Sequence, residues 1–195
     1  MLKEDTGRGF PDTFAHLSTS ELLAIWTAGP GRLRQAIDGL SDDELVSHPR
    51  EGKWSIQQIA FHVVDAEVVG HFRMLAVLGS GIQEPVLAGY DQDSWTGTFD
   101  YETRSRDELR LALRHFASMR ELLGAQLRRL DDSQWQRRGI HGEWGPLTLR
   151  QILELYADHP ERHIDQIAIS REILGKPKRL ERIFDEWLYG SRGSD

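Results

Sequence analysis

Thr148-Leu149-Arg150-Gln151-Ile152-Leu153-Glu154-Leu155-Tyr156-Ala157-Asp158-His159-Pro160-Glu161-Arg162-His163-Ile164-Asp165-Gln166-Ile167 is the stretch on which the fold turns. Thr148 and Gln151 stand in capping-box spacing: a hydroxyl accepts from a backbone N–H and an amide returns the bond. Ile152, Leu155, Tyr156 and Ile167 then recur at helical intervals, so the segment reads as a helix to Leu174 with Gly175 as its C-cap. His159 and His163 fall on the same apolar line and therefore point into the protein. Side chains four apart on a helix have Cβ atoms ~5–6 Å apart, so two imidazoles can reach one metal ion. Two histidines buried together cost stability unless acceptors or a metal satisfy them. A zinc metalloprotease places Glu directly after the first His as general base. Here that position is Pro160, and Glu161 lies about 180° around the helix from His159, which disfavours peptidase chemistry of that type. Pro160 also removes a backbone hydrogen bond and is expected to bend the helix beside His159.

Working outward, three more segments carry the same signature. Ser18 and Glu21 open a run containing Leu22, Leu23, Ile25, Trp26, Leu33 and Ile37, in which Pro30 is expected to kink or split the helix. Ser55 and Gln58 open some 24 residues without punctuation up to Gly79, too long for a strand and apolar nearly all round. Ser105 and Glu108 open a third helix, to about Leu130, with Leu109, Leu113, Phe116, Leu123 and Leu127 on its apolar positions. Ser41-Asp42-Asp43-Glu44 reads as a short acidic connection, residues 80–104 as one long loop carrying Tyr90, Trp95, Phe99 and Tyr101, and 131–146 as a linker. No strand signal is evident. The expectation is an all-α four-helix bundle over residues 18–189, with a short additional helix from Pro177 to near Tyr189, a flexible arm over 1–17 and a flexible tail over 190–195.

Composition excludes several classes of function. At 195 residues the chain is one domain's worth, and 39% hydrophobic residues suffice for a core. Cysteine is absent, which removes disulfides, zinc–thiolate sites, iron–sulfur clusters and a cysteine nucleophile together. Any metal must be held by nitrogen and oxygen, and there are eight histidines. A formal charge of −7 argues against nucleic-acid binding, and Arg128-Arg129 and Arg137-Arg138 are interleaved with Asp131 and Asp132. No secretory signal or membrane-spanning run is visible, so a cytoplasmic protein that engages no membrane is expected.

A metal on His159 and His163 needs a third ligand. The second long segment offers His62, Glu67 and His71; periodicity slightly prefers Glu67 or His71, which lie nearer the centre of the stripe of Ile56, Ile59, Ala60, Val63 and Val64. His16, His48, His115 and His141 have no partner pattern and read as surface or loop residues.

Three motifs in register resemble the DinB/YfiT-like superfamily, closest to its YfiT-like metal-dependent hydrolases. They are Trp54 to Asp65, Tyr90-Asp91-Gln92-Asp93-Ser94-Trp95, and Gly145 to Ile164. The resemblance spans roughly residues 18–175. It implies a four-helix bundle with a divalent metal on one His of the second helix and two of a His-x-x-x-His on the fourth, here His62, His159 and His163. Asp65, three residues after His62, is a candidate to orient that imidazole, and Tyr156 a candidate to offer a hydroxyl to substrate. The segment of Asp91, Asp93 and Trp95 is a candidate either to cover the site or only to pack the loop.

The reading that follows is a metal-dependent enzyme with zinc or nickel on three imidazoles, acting as a hydrolase on a small molecule. The alternatives are transfer of a low-molecular-weight thiol from the same site, as in relatives within the superfamily, and a metal-binding or interaction protein without turnover. The apolar circumference of the second segment, with the dimers common among relatives, points to a homodimer.

Overall fold

The computed structural model describes residue 14 and residues 16–181. Four long helices form the bundle: α1 (Thr19–Ile37), α3 (Ile56–Gly79), α5 (Arg106–Leu127) and α7 (Leu149–Ile173). Each begins where its sequence places a hydroxyl and an acceptor three residues apart, with complete capping boxes at Ser18/Glu21, Ser55/Gln58, Ser105/Glu108 and Thr148/Gln151. The packed neighbours are α1 with α7, α7 with α3, α3 with α5 and α5 with α1. That ring leaves α1 diagonal to α3 and α5 diagonal to α7.

The connections are more ordered than expected. Ser41 and Glu44 close a capping box on a short helix, α2 (Asp42–Val46). The supposed long loop contains β1 (Val86–Leu87), α4 (Gln92–Thr98), capped by Asp91, and a 3-10 turn over Tyr101–Thr103. The 131–146 linker holds α6 (Asp132–Trp135) and most of a hairpin, β2 (Arg138–His141) and β3 (Gly145–Thr148). β2 pairs antiparallel with β3 and parallel with β1. The reading without strands is corrected here. Strands of two to four residues are too short to show a period of two, and Pro146 sits on an edge strand, where its missing donor is tolerated.

Two further expectations need correction. Pro177 to Glu181 is irregular, so no helix begins at Pro177, and residues 182–189 of the expected last helix lie outside the described residues. The arm expected over residues 1–17 does not extend to its last residues: Phe14 and Leu17 are buried, and Arg150 donates to both of their carbonyls. Residues 1–13 and 190–195 lie outside the described residues.

Neither Pro30 nor Pro160 splits its helix. Proline withholds an N–H from the carbonyl four residues earlier, which frees Trp26 O and Tyr156 O. Arg120 of α5 donates to both, from Nη1 to Trp26 O and from Nη2 to Tyr156 O at 2.6 Å. Its charge is met by Glu67 of α3 at 2.7 Å. One buried guanidinium thus joins all four long helices. It also bridges the two halves of the core, 4.8 Å from the Trp26 ring centroid and 4.5 Å from that of Phe116.

Candidate metal centre

His62 comes from the second turn of α3, and His159 and His163 from successive turns of α7. The helices that carry them pack directly together. The His159 Nε2 atom lies 3.2 Å from His62 Nε2 and 3.2 Å from His163 Nε2. One ring nitrogen from each residue falls within 4.8 Å of the others. A tetrahedral ion 2.0–2.1 Å from each imidazole nitrogen would space those nitrogens by about 3.3–3.4 Å, so the two separations of 3.2 Å about His159 suit such an ion.

Proton placement also fits. His163 Nδ1 faces Gln166 Oε1 at 2.9 Å, so the proton sits on Nδ1 and Nε2 presents its lone pair to the other rings. A neutral His159 has at most one Nε2 proton for two facing nitrogens, so protons alone cannot satisfy the trio. Burial holds all three below the ordinary imidazole pKa. His62 falls to about 3, with the neighbouring His163 adding to the effect. His163 falls to about 4 and His159 well below its usual value. Three neutral imidazoles with converging lone pairs are the donor set a divalent ion takes.

A family model of the DinB superfamily matches residues 25–167, nearly three quarters of the chain. The chain belongs to the DinB superfamily. Among curated relatives of this DinB protein is YfiT of Bacillus subtilis, 29% identical over 149 residues, covering 74% of this chain and 79% of that one. A protein of Halalkalibacterium halodurans is 28% identical over 141 residues, covering 72% and 79%. The names of both place them provisionally among metal-dependent hydrolases. The solved structure of Bacillus subtilis YfiT, described as a four-helix bundle of unusual topology, superposes with a TM-score of 0.74 at 24% identity, covering 82% and 91% of the two chains. A mycothiol-dependent maleylpyruvate isomerase superposes with a TM-score of 0.63 at 16% identity, covering 79% and 62%.

In the DinB chain the other ligand candidates stand apart from the three histidines. Glu67 pairs with Arg120, and neither Glu67 nor His71 joins the histidine group. Glu161, buried at the far side of α7, takes two bonds from Arg32. Asp65 does not orient His62: it accepts from the Tyr101 hydroxyl, and burial raises its pKa to about 6. Tyr156 does face the site's cavity, and its ring lies so close to α3 that a Cβ at Gly70 would meet it at 2.3 Å. Next to the Asp91–Trp95 segment, the Tyr90 ring lies 6.5 Å from that of His62 and 4.7 Å from that of Trp95.

Two cavities flank the histidines. One, of about 530 Å³, is lined by His159, Tyr156, Arg73, Tyr90, His141 and Trp144 among others. The second, of about 500 Å³, is lined by His163, Gln166, Trp54, Arg50 and Lys53 among others. His141 and Arg73 were missed in the sequence. His141 stacks on Trp144, 4.7 Å between centroids, and burial, aided by Arg73, lowers its pKa to about 4. The signal for Arg73 was available: it is a charged residue on the buried stripe of Ile59, Val63, Ala66, Gly70 and Val77.

Proposed function

We propose that this protein is a metal-dependent hydrolase of small molecules, with zinc or nickel held by His62, His159 and His163. The observation that carries the reading is the convergence of three neutral Nε2 atoms, two of the separations being 3.2 Å. When bound, the ion supplies Lewis acidity, polarising a carbonyl and easing the ionisation of water. The chain's own part is positional. Gln166 fixes the tautomer of His163, and Trp54, packed 4.8 Å from the His62 ring, shields that ligand. The Tyr156 hydroxyl, its pKa pushed up to about 12 by burial, keeps its proton and can donate to a substrate oxygen. The names carried by relatives support the same reading.

Thiol transfer is the second reading, and a specific observation favours it: cavities of about 530 and 500 Å³ lie on either side of the histidines, room for two organic reactants. The thiol-dependent isomerase shares the fold and points the same way. A paired screen separates the two. Hydrolysis of small esters or amides that is lost on chelation and restored by zinc or nickel supports the first. Turnover only with a low-molecular-weight thiol and an electrophilic acceptor overturns it in favour of the second. We further propose that the protein acts as a homodimer.

A further inference from the structure

Arg73 is 8% exposed, and a guanidinium at that depth ordinarily faces a carboxylate, because desolvating an unpaired charge is costly. Arg120 has Glu67, Arg32 has Glu161 and Arg150 has Glu154, whereas the buried Arg171, remote from the histidines, is met by the carbonyls of Ala36, Asp38 and Pro177. Arg73 also departs from that rule. Its Nε and Nη2 donate to Ala88 O at 3.0 and 2.7 Å, and its Nη1 to the Tyr156 hydroxyl at 2.9 Å. All are neutral acceptors, and no carboxylate among the described residues pairs with it. Three of the five N–H donors of the guanidinium are engaged, which leaves two. The Tyr156 hydroxyl accepts from Arg73 and still has its own proton to give.

Both groups line the cavity of about 530 Å³ that also contains His159. Its other charges do not neutralise Arg73. Arg162 is occupied by Asp158 at 2.9 Å, and Glu143 is exposed in the β2–β3 turn at the mouth. Ala66, Leu155, Tyr90 and Trp144 give the wall its apolar part, beside the uncharged Gln92.

We propose that this cavity binds the carboxylate of a small organic acid, held by the Arg73 guanidinium and the Tyr156 hydroxyl, with its organic body against Trp144 and its reacting bond at His159. Planar N–H donors match a carboxylate, whereas one guanidinium without a carboxylate partner, the other being paired with Asp158, is a poor host for a phosphate dianion. Glu143 at the mouth further disfavours a second negative charge. The inference deepens the hydrolase reading and rests on it for the chemistry. The binding itself rests on Arg73.

The test is a ligand-observed NMR titration of the full chain with benzoate and with benzamide, its neutral isostere, with metal content measured on the same samples. Benzoate should bind about tenfold or more tighter than benzamide, and Arg73→Gln should remove that preference by weakening benzoate. Tyr156→Phe, which preserves the ring, should weaken benzoate severalfold. Chelated protein should keep the preference, because Arg73 and not the ion supplies it. Equal binding of the two probes, unchanged benzoate affinity in Arg73→Gln, or displacement of benzoate by a tenfold lower concentration of inorganic phosphate would overturn the proposal. If Arg73→Gln does not fold, unchanged benzoate affinity in Tyr156→Phe overturns it instead. Protein purified without chelator that carries no metal yet keeps the preference would refute the hydrolase reading and leave the carboxylate subsite standing. A metal-loaded protein without the preference would do the reverse.

Discussion

Pro30 and Pro160, on neighbouring helices of the bundle, are complemented by a single side chain. Each frees a carbonyl one turn earlier, and Arg120 donates to both. Gly29 leaves the space: a Cβ there would stand 2.4 Å from Arg120 Nη1 and 3.6 Å from Pro160 Cγ. The device holds the backbone of Tyr156, one turn before His159, against α5, and so helps to set the metal-binding turn.

Arg120→Met should cost about 3–5 kcal/mol, since it strands the buried Glu67 carboxylate as well as two carbonyls. In a Pro30→Ala/Pro160→Ala background the restored N–H groups can take over those carbonyls. Denaturant melts should then show Arg120→Met costing less than in the parent, with a coupling of about 0.5–3 kcal/mol. An equal cost in both backgrounds would show that the prolines and Arg120 are independent.

The buried imidazoles predict how metal-free protein responds to acid. His62, His163 and His141 sit at about 3, 4 and 4 when folded, against an ordinary value of 6.5. Between about pH 6.5 and pH 4 the unfolded chain takes up protons that the folded chain refuses, so stability should fall steadily as pH falls through that window. Asp65 works in the opposite direction: its folded pKa of about 6 exceeds the ordinary 3.8, so it favours the fold at the acid end and loses that contribution as pH rises. Asp65→Asn should therefore steepen the acid loss. Urea melts from pH 4 to 7 on chelated protein test both signs; a flat profile would contradict the first and a shallower mutant profile the second.

Val68, Phe72 and Leu75 are 42%, 60% and 42% exposed on one face of α3. We expect that face to be covered by a second copy, so light scattering at micromolar concentration should report twice 22.3 kDa. Phe72→Glu should return the particle to one chain's mass. A wild-type particle of 22.3 kDa would remove the claim.

The bundle was legible because its four long helices announce themselves with capping pairs and apolar periodicity, both local signals. The same signals placed His159 and His163 on one buried line. The position of His62 was not legible from periodicity, which leaned towards Glu67 or His71; only the family resemblance selected it. The reason is physical. Glu67 lies on the buried stripe because it neutralises Arg120, a partner 53 residues away, and a one-dimensional pattern carries no information about such a pairing. His141 was misread for a similar reason: its burial depends on a four-residue strand that pairs with β1 and β3. Asp65 stood at the right spacing to support His62, but the 3-10 turn at Tyr101 captures it.

The central claim is that His62, His159 and His163 hold one divalent ion. Elemental analysis of protein purified without chelator, run beside four alanine variants, tests it most directly. The account predicts about one zinc or nickel ion per wild-type chain. His62→Ala, His159→Ala and His163→Ala should each lose most of it, while His71→Ala should retain it. A wild-type protein that is folded yet carries no metal, or a His71→Ala variant emptied while His62→Ala stays loaded, would contradict the account.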